Sequence, residues 1–224
     1  MLFASLLLLG SESTHADDLK AVEQYWLNKH PALPPVQSLE KRTLPVEPLP
    51  GWAVLVNITE HRLYYFRENL MLHSQVAIVS VDNSGQVVHV KDERTFSDLM
   101  AAENIRVETA KNAVDVAQTY LHFRHLTTAK IYSSYKGHRA INSVDEIPFP
   151  DGEASLKTKL EIKQEIANFA PIVEKIGEGY VYSLFYWSPF NGDLAKVRVT
   201  VTQAGVVSYE RTVLAEEVGE YGEY

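Results

Sequence analysis

The chain contains no cysteine, and this absence excludes several kinds of site at once. Without a thiol there can be no disulfide, no thiolate nucleophile, no cysteine-ligated zinc and no lipid-anchored cysteine. A secreted form would have to be stable through its own core. With 224 residues, 46% of them hydrophobic, the chain can bury such a core as one ordinary domain or two small ones.

Basic residues are in deficit, with 21 Lys and Arg against 29 Asp and Glu and a formal net charge of -8. Nucleic-acid backbones and anionic membrane surfaces are both bound through clustered Lys and Arg. We therefore predict no nucleic-acid partner. We also predict no stable membrane insertion, because the apolar block Leu2–Leu9 is too short to cross a bilayer as a helix.

The familiar catalytic motifs are missing as well. The chain has no nucleophile elbow, no phosphate-binding glycine loop and no metalloprotease motif. This absence favours a non-enzymatic protein, so we predict no catalytic residue, no cofactor and no resident metal. The sequence makes no prediction of the oligomeric state.

Residues 1–16 are typical of a secretory signal peptide. The apolar block Leu2–Leu9 is followed by small and polar residues, and Thr14–Ala16 resembles a signal-peptidase site before Asp17. No Lys or Arg precedes the block, so a disordered or buried N-terminal segment is the alternative. We predict a periplasmic or extracellular protein.

The first part of the chain predicts one helix followed by strands. Asp17–Asn28 carries apolar residues at helical spacing and begins with two acidic residues. A proline-rich, extended connection follows through Pro50. The predicted strands are Trp52–Thr59, Arg62–Phe66, Met71–Val81 and Gln86–Lys91.

The second part predicts the same order of elements. Phe96–Ala102 is a short helix, and Thr109 is the predicted N-cap of a longer one. The apolar face of this longer helix comprises Ala113, Val114, Ala117, Tyr120 and Leu121. Gly179–Leu214 then forms three strands joined by glycine-containing turns, which predicts an antiparallel meander.

Residues 127–176 form an insertion in this second part. Leu156–Ile162 alternates like a strand, whereas Lys163–Ile176 has helical spacing, and we predict a helix there. The acidic stretch Ala215–Tyr224 is predicted to fray.

The two parts also resemble each other in sequence. Val79–Val87 aligns with Val199–Val207 at a constant offset of 120 residues, and each stretch has the pattern Val-x-Val-x-x-x-Gly-x-Val. Upstream, Ala21-Val22 resembles Ala113-Val114 at an offset of 92 residues. Two unrelated hairpins are the alternative. We predict an α+β fold with two helix-plus-antiparallel-meander modules in tandem, at residues 17–105 and 106–224.

The repeated unit resembles a known family. The helix with Ala113-Val114, the strand Gly179–Trp187 and the stretch Lys196–Val207 are similar to the PepSY-type module of secreted bacterial proteins, within the cystatin-like α+β class. The resemblance covers Thr109–Leu214 and, more loosely, Asp17–Lys91. It implies a small periplasmic or extracellular module, sometimes fused to peptidases and suspected of regulating them.

Aromatic residues concentrate in one strand of the meander. One face of this strand carries Tyr180, Tyr182, Leu184 and Tyr186, and the other carries Val181, Ser183, Phe185 and Trp187. Such a strand is either central and covered on both faces or part of an exposed binding patch. For a binding patch, the predicted residues are Tyr186, Trp187, Phe190 and Arg198. The predicted partner is a protein or peptide, held by strand addition at a sheet edge.

The eight histidines raise a metal hypothesis. His122 and His125 lie at i, i+3 near the end of a predicted helix, His138 follows, and Asp145 and Glu146 lie beyond. Imidazole and carboxylate groups bind zinc or copper. However, the spacing matches no established ligand signature. Solvated histidines are also favoured near a helix C-terminus by its dipole, so no metal site is predicted.

A pocketed small-ligand protein or enzyme of the NTF2-like type is the alternative function. A helix on a curved sheet can enclose a conical pocket in which His and Tyr side chains transfer protons. The residues for such chemistry would be His125, Tyr132, Tyr135 and His138. A closed cavity lined by His and Tyr would favour this alternative, and two separate sheets with filled interiors would favour binding modules.

Overall fold

The computed structural model of the chain describes residues 17–25, 28–29, 47–48, 60–70, 73–128 and 139–222. The chain divides into two compact units, residues 1–91 and 92–224. Each unit combines helical segments with an antiparallel sheet, which confirms the predicted α+β class. The signal segment 1–16 and the strand predicted at Trp52–Thr59 lie outside the described residues.

The first unit contains a four-stranded antiparallel sheet. Helix α1 comprises residues 17–25 and 28–29, and the strands follow in the order β1-β2-β3-β4. These strands are β1 (Glu47–Pro48), β2 (His61–Leu70), β3 (His73–Asp82) and β4 (Val87–His89). Three of the predicted strands therefore form as expected, because alternating β-branched and aromatic residues are bounded by turn residues.

The core of the first unit lies between α1 and one face of this sheet. Val22 of α1 is buried against residues that share that face, namely Tyr64, Ala77, Val79 and Val81. Tyr64 pairs directly with Val79 across the β2–β3 ladder, so their side chains emerge on the same side.

A carboxylate fastens α1 to β2. The guanidinium of Arg62 donates from Nε and Nη2 to the Asp18 carboxylate, and the Tyr64 hydroxyl donates to the same carboxylate at 2.6 Å. Asp18 is buried, with 4% of its side chain exposed. Burial, followed by the bond to Asp18, raises the pKa of Tyr64 above its ordinary value. The helix is thereby held by a buried ion pair as well as by apolar contact.

The second unit contains three helices within its described residues, α2 (Glu93–Ala102), α3 (Ala110–Thr128) and α4 (Glu153–Glu165), and a 3-10 turn at Val144–Glu146. Its strands are β5 (Arg139–Ile141), β6 (Ile172–Ile176), β7 (Gly179–Trp187), β8 (Leu194–Val201) and β9 (Val207–Ala215). The predicted meander of the last three strands is confirmed. Strand β7 pairs with β8 on one side and with both β5 and β6 on the other.

Both faces of β7 are buried, so the aromatic strand is central. On one face, α3 covers the rows that contain Tyr180, Tyr182 and Tyr209. The other face packs against the insertion in one cluster of buried residues, which comprises Ile141, Val144, Ile147, Ile162, Phe169, Phe185, Trp187, Leu194 and Val218. Burial of large apolar side chains on both faces explains the aromatic content of β7.

Helix α3 begins as predicted. The Thr109 hydroxyl accepts from the Asn112 backbone N–H at 3.2 Å, which is the N-cap bond. Of the predicted apolar face, Ala113, Ala117, Tyr120 and Leu121 are buried, whereas Val114 is half-buried. The short helix predicted at Phe96–Ala102 is confirmed within α2, which opens with a capping box between Asp92 and Thr95.

Helix α2 belongs to the second unit, although its residues were predicted as part of module 17–105. The Val207 backbone N–H donates to the Ser97 hydroxyl at 3.1 Å, so α2 is bonded to the start of β9. The Val107 N–H donates to the Gln203 carbonyl at 2.9 Å. These contacts explain why the structure divides after Lys91 rather than at residue 105.

Two local predictions are wrong. Lys163–Ile176 is not a helix, because α4 ends at Glu165 and Ile172–Ile176 forms β6. Pro171 precedes this strand and has no N–H for a continuing helix, while β7 offers a ladder to the β-branched residues that follow. The stretch Ala215–Tyr224 does not fray over its described part, since Val218 is 1% exposed and packed in the core.

Candidate functional site

The four predicted binding residues do not form one patch. Trp187 is 3% exposed, and its indole Nε1 donates to the Val218 carbonyl at 2.8 Å. Tyr186 is half-buried on the opposite face of β7, where burial raises its pKa to about 12. Arg198 shares the face of Trp187 but lies opposite Ser183, and it pairs with Glu210 at 3.0 Å. Phe190 is 44% exposed in the turn between β7 and β8. Their joint role in binding stays a prediction.

The turn between β7 and β8 is closed by its own hydrogen bonds. The Gly192 N–H donates to the Ser188 carbonyl at 2.8 Å, and the Ser188 N–H donates to the Asp193 carbonyl at 2.9 Å. Gly192 has a φ of 72°, as expected of the Asn191-Gly192 dipeptide. Arg211 pairs with Asp193 at 2.8 Å and joins this turn to β9.

Residues 216–222 lie against this turn, which the sequence did not predict. The Val218 N–H donates to the Gly192 carbonyl at 2.8 Å, and the Gly222 N–H donates to the Pro189 carbonyl at 3.3 Å. The Glu220 N–H donates to the Pro148 carbonyl at 2.5 Å. Val218, a lone aliphatic residue in an acidic stretch, is the signal that could have indicated this contact.

A different surface lies at strand β6. Within the part of the chain that the structure describes, β6 pairs with β7 and with no strand on its other side. Two apolar side chains on this short strand are exposed, Ile172 by 42% and Ile176 by 54%. An unpaired strand edge with exposed apolar residues is a surface at which another extended chain can pair.

A cleft of about 460 Å³ opens beside β6 on the side of the sheet that α3 covers. Its lining residues are Val107, Glu108, Lys175, Gly177, Glu178, Tyr180 and Gln203. The Tyr180 hydroxyl donates to the Glu108 carbonyl at 3.1 Å and fixes one wall. Two carboxylates, one ammonium and one amide can form charge-assisted hydrogen bonds with a polar side chain.

The histidines form no metal site in the described residues. Groups of three or more His, Asp or Glu side chains that could hold a metal ion are not found there. His122 is exposed on α3. His138 and the two tyrosines of the acid–base alternative, Tyr132 and Tyr135, lie outside the described residues. The cleft at β6 includes Tyr180 but no histidine.

Across residues 17–25, 28–29, 47–48, 60–70, 73–128 and 139–222, we find no helix with the length and apolar character required to span a membrane. Comparisons with protein-family models, with curated proteins and with solved structures found no match.

Proposed function

We propose that this chain is a secreted, non-enzymatic protein of two related helix-plus-meander modules that binds an extended protein or peptide segment along β6. The proposal rests on one observation: β6 has an edge that is unpaired among the described residues, and a cleft lies beside it in the second unit. In strand addition, main-chain hydrogen bonds supply affinity and pockets for alternate side chains supply specificity.

The β6–β7 hairpin determines which backbone groups face outward. Its loop has two residues, Gly177 and Glu178, and the positive φ of Gly177 alone fits a type II′ turn. The pair that flanks such a loop, Ile176 and Gly179, exchanges hydrogen bonds, and bonded pairs alternate along the ladder. Val173 and Lys175 therefore direct their N–H and C=O groups away from β7, toward an added strand.

The cleft suggests which side chain the added strand would carry. Lys175 pairs with Tyr180 across the ladder, so both side chains emerge on the side of the cleft. An added strand alternates its side chains between faces, and one of them would enter the cleft. Because Glu108 and Glu178 outnumber Lys175, a Lys or Arg side chain is favoured there.

Matching turns support the proposal of two related modules. In the β3–β4 turn, the Gly85 N–H donates to the Asp82 carbonyl at 3.0 Å, and the Asp82 N–H donates to the Gln86 carbonyl at 3.1 Å. At the positions 120 residues later, Gly205 and Thr202 form the same two bonds, each at 2.9 Å. Gly85 and Gly205 both have positive φ, 81° and 76°.

Helices α1 and α3 have similar patterns of buried positions, but the two patterns align at a different offset from the predicted 92 residues. At the predicted offset of 92 residues, buried Val22 would align with half-buried Val114. The inward positions of α1 are Asp18, Val22 and Tyr25, and the corresponding spacing in α3 is Ala113, Ala117 and Tyr120. Two separate sheets that pack on helices also favour this proposal over a conical pocket.

The resemblance to PepSY-type and cystatin-like modules belongs to the same proposal, and it suggests a peptidase as one class of partner.

Export is tested by fusing residues 1–24 to a reporter that is active only outside the cytoplasm. Active reporter and an N-terminus at Asp17 would support a secreted protein. A reporter that stays in the cytoplasm and remains inactive would overturn the proposal that the protein is secreted.

Strand addition is tested with random peptides displayed on phage and selected on the full chain. Lys175→Pro removes an outward N–H without removing a bond to β7, so it should abolish binding of the selected peptides. Lys175→Ala is the matched control, since it retains the N–H and should retain most binding. Selected peptides that bind Lys175→Pro as well as the unchanged chain would overturn the proposal.

A further inference from the structure

Residues 216–222 are held in the second unit by main-chain hydrogen bonds and one buried side chain, as a bound peptide is held by a recognition groove. The groove, which we call the docking groove, is formed by Ile147, Pro148, Trp187 and the turn Ser188–Gly192. Main-chain N–H groups of Val218, Glu220 and Gly222 donate to carbonyls of the groove. In the opposite sense, the Trp187 indole donates to the Val218 carbonyl.

One side chain anchors the segment. Val218 is 1% exposed and belongs to the same buried cluster as Ile147, Trp187 and Leu194. Binding energy concentrates at side chains that fill well-packed, fully desolvated pockets near the centre of a contact, and Val218 occupies such a position. The main-chain bonds fix the register and the pocket selects the residue at position 218.

The position after the anchor accepts only glycine. A Cβ atom built on Gly219 would lie 2.5 Å from Ile147 Cγ2 and 2.6 Å from the Pro148 carbonyl oxygen. The φ of Gly219 is 80°, a region that other residues rarely adopt. The docking groove therefore selects an aliphatic residue followed by a glycine that can adopt positive φ.

The chain must bend sharply to enter the groove after β9. Glu217 has a φ of 54°, and it is one of two non-glycine residues with positive φ in the described residues. A left-handed conformation at a residue with a Cβ is unfavourable. Binding of the segment within its own chain therefore carries a conformational cost that a separate segment would avoid.

We infer that the docking groove is a second peptide-recognition site, for a partner segment with an aliphatic residue followed by glycine, and that residues 216–222 occupy it as an internal competitor. This site is distinct from β6 and does not depend on the function proposed there. Displacement of the internal segment would expose Trp187 and the turn that carries Phe190. The sequence analysis predicts both Trp187 and Phe190 as binding residues.

The probe is a labelled synthetic peptide with the sequence of residues 216–222, added to the full chain. Glu217→Pro is incompatible with a φ of 54°, so this change releases the internal segment and leaves every groove residue unchanged. Glu217→Gly is the matched control, because it makes the bend easier. An internal ligand competes at an effective concentration in the millimolar range, so the peptide should bind Glu217→Pro at least about tenfold more tightly than the unchanged chain.

Peptide specificity provides the second comparison. A peptide with Val218→Asp or Gly219→Val should lose binding to the Glu217→Pro chain, because one change buries a charge and the other introduces the Cβ that the groove excludes. Equal binding of these peptides, or no binding of the original peptide to a folded Glu217→Pro chain, would overturn the inference. If the Glu217→Pro chain has twice the monomer mass in solution, a second copy of the chain fills the groove. That result would overturn the inference that the groove binds a different partner.

Hydrogen exchange of the unchanged chain gives a test that does not depend on any variant. The Trp187 indole N–H is bonded to the Val218 carbonyl, so its exchange reports opening of the segment. We expect it to exchange faster than the central amides of β7. If the Trp187 indole N–H and the central amides of β7 both exchange only when the whole unit unfolds, the groove never opens in the folded protein. That result would overturn the inference. Lys175→Pro changes only β6, so it should alter neither the binding of the peptide to the docking groove nor the exchange of the Trp187 indole N–H.

Discussion

The two units attach a helix to an antiparallel sheet by different means. In the first unit, Asp18 of α1 bonds to Arg62 and Tyr64 of β2 in a buried ion pair. In the second unit, α3 is attached through aromatic side chains. The ring centroid of Tyr120 lies 6.4 Å from that of Tyr209 on β9, and the Arg124 guanidinium lies 3.9 Å from the Tyr209 ring centroid.

The difference shows that this architecture does not require one type of helix contact. A buried ion pair demands both partners, because the loss of one leaves a desolvated charge. Aromatic and aliphatic contacts depend on volume and tolerate substitution when the volume is retained. We therefore expect α1 to be sensitive to charge and α3 to be sensitive to size.

The largest effect is expected for Tyr120→Ala in the second unit. Tyr120 is 1% exposed and contacts the rings of Phe96, Phe123 and Tyr209. Its removal leaves a large cavity and should lower the free energy of unfolding by about 4 kcal/mol. Urea denaturation followed by circular dichroism measures this value. Tyr120→Phe is the control and should cost much less, and equal costs would mean that the hydroxyl rather than ring volume is important.

Asp18→Ala should lower the stability of the first unit by about 3 kcal/mol, near the low end for a broken buried pair because Arg62 keeps about a third of its side chain exposed. Hydrogen exchange with mass spectrometry locates the effect in α1 and β2. The double variant Asp18→Leu with Arg62→Met should recover part of the loss, since it removes both charges. No recovery would contradict the sensitivity of α1 to charge.

The matched glycines offer a finer comparison. Gly85→Ala should cost about 1 kcal/mol, because the residue has positive φ but a Cβ there would meet nothing within 4 Å. Gly205→Ala should cost about 2 kcal/mol, since the new Cβ would also lie 3.1 Å from Met100 Cβ on α2. Thermal unfolding of both variants measures the difference. Equal losses would show that α2 yields to the added methyl group.

The smallest expected effect is a pH dependence confined to one of the two matching turns. Hydrogen bonds from the Ser84 hydroxyl and from the Gln86 and Ser84 backbone lower the pKa of Asp82. Their stabilising contribution is present above the ordinary aspartate pKa of about 4 and is lost as the pH falls through the lowered value. At the matching position Thr202 accepts from Val206 N–H with a hydroxyl that does not titrate.

Amide exchange between pH 5 and pH 2, corrected for intrinsic rates, measures this dependence. Protection of Ser84 and Gln86 should fall with acid, while protection of Val206 should stay constant. An equal loss at both turns would indicate general acid unfolding and would contradict the local origin of the effect.

Local patterns in the sequence were sufficient for the elements whose signals are complete within a few residues. The meander from Gly179, the N-cap at Thr109 and the turn at Gly205 follow from alternation, a capping hydroxyl and a glycine with positive φ. The similarity between Val79–Val87 and Val199–Val207 was visible for the same reason, because both turns use the same local hydrogen bonds.

Contacts with other elements decided the stretches that were predicted incorrectly. Ile172–Ile176 has helical spacing with the preceding residues, but it pairs with β7 across the two-residue loop Gly177-Glu178, and this hairpin outweighs the spacing. Val218 lies in an acidic stretch that resembles a frayed end, yet Trp187, Ile147 and Leu194 form a pocket for it. Trp187, whose role in binding stays a prediction, is buried because residues of the insertion cover its face of the sheet.

The α+β class, the strand turns and the central helix of the second unit follow from periodicity and turn chemistry, which depend on neighbours in the sequence. The assignment of α2 to the second unit, the edge position of β6 among the described strands and the packing of Val218 against Trp187 depend on which surfaces meet. Burial is a property of both contacting surfaces, so one stretch of sequence cannot specify it alone.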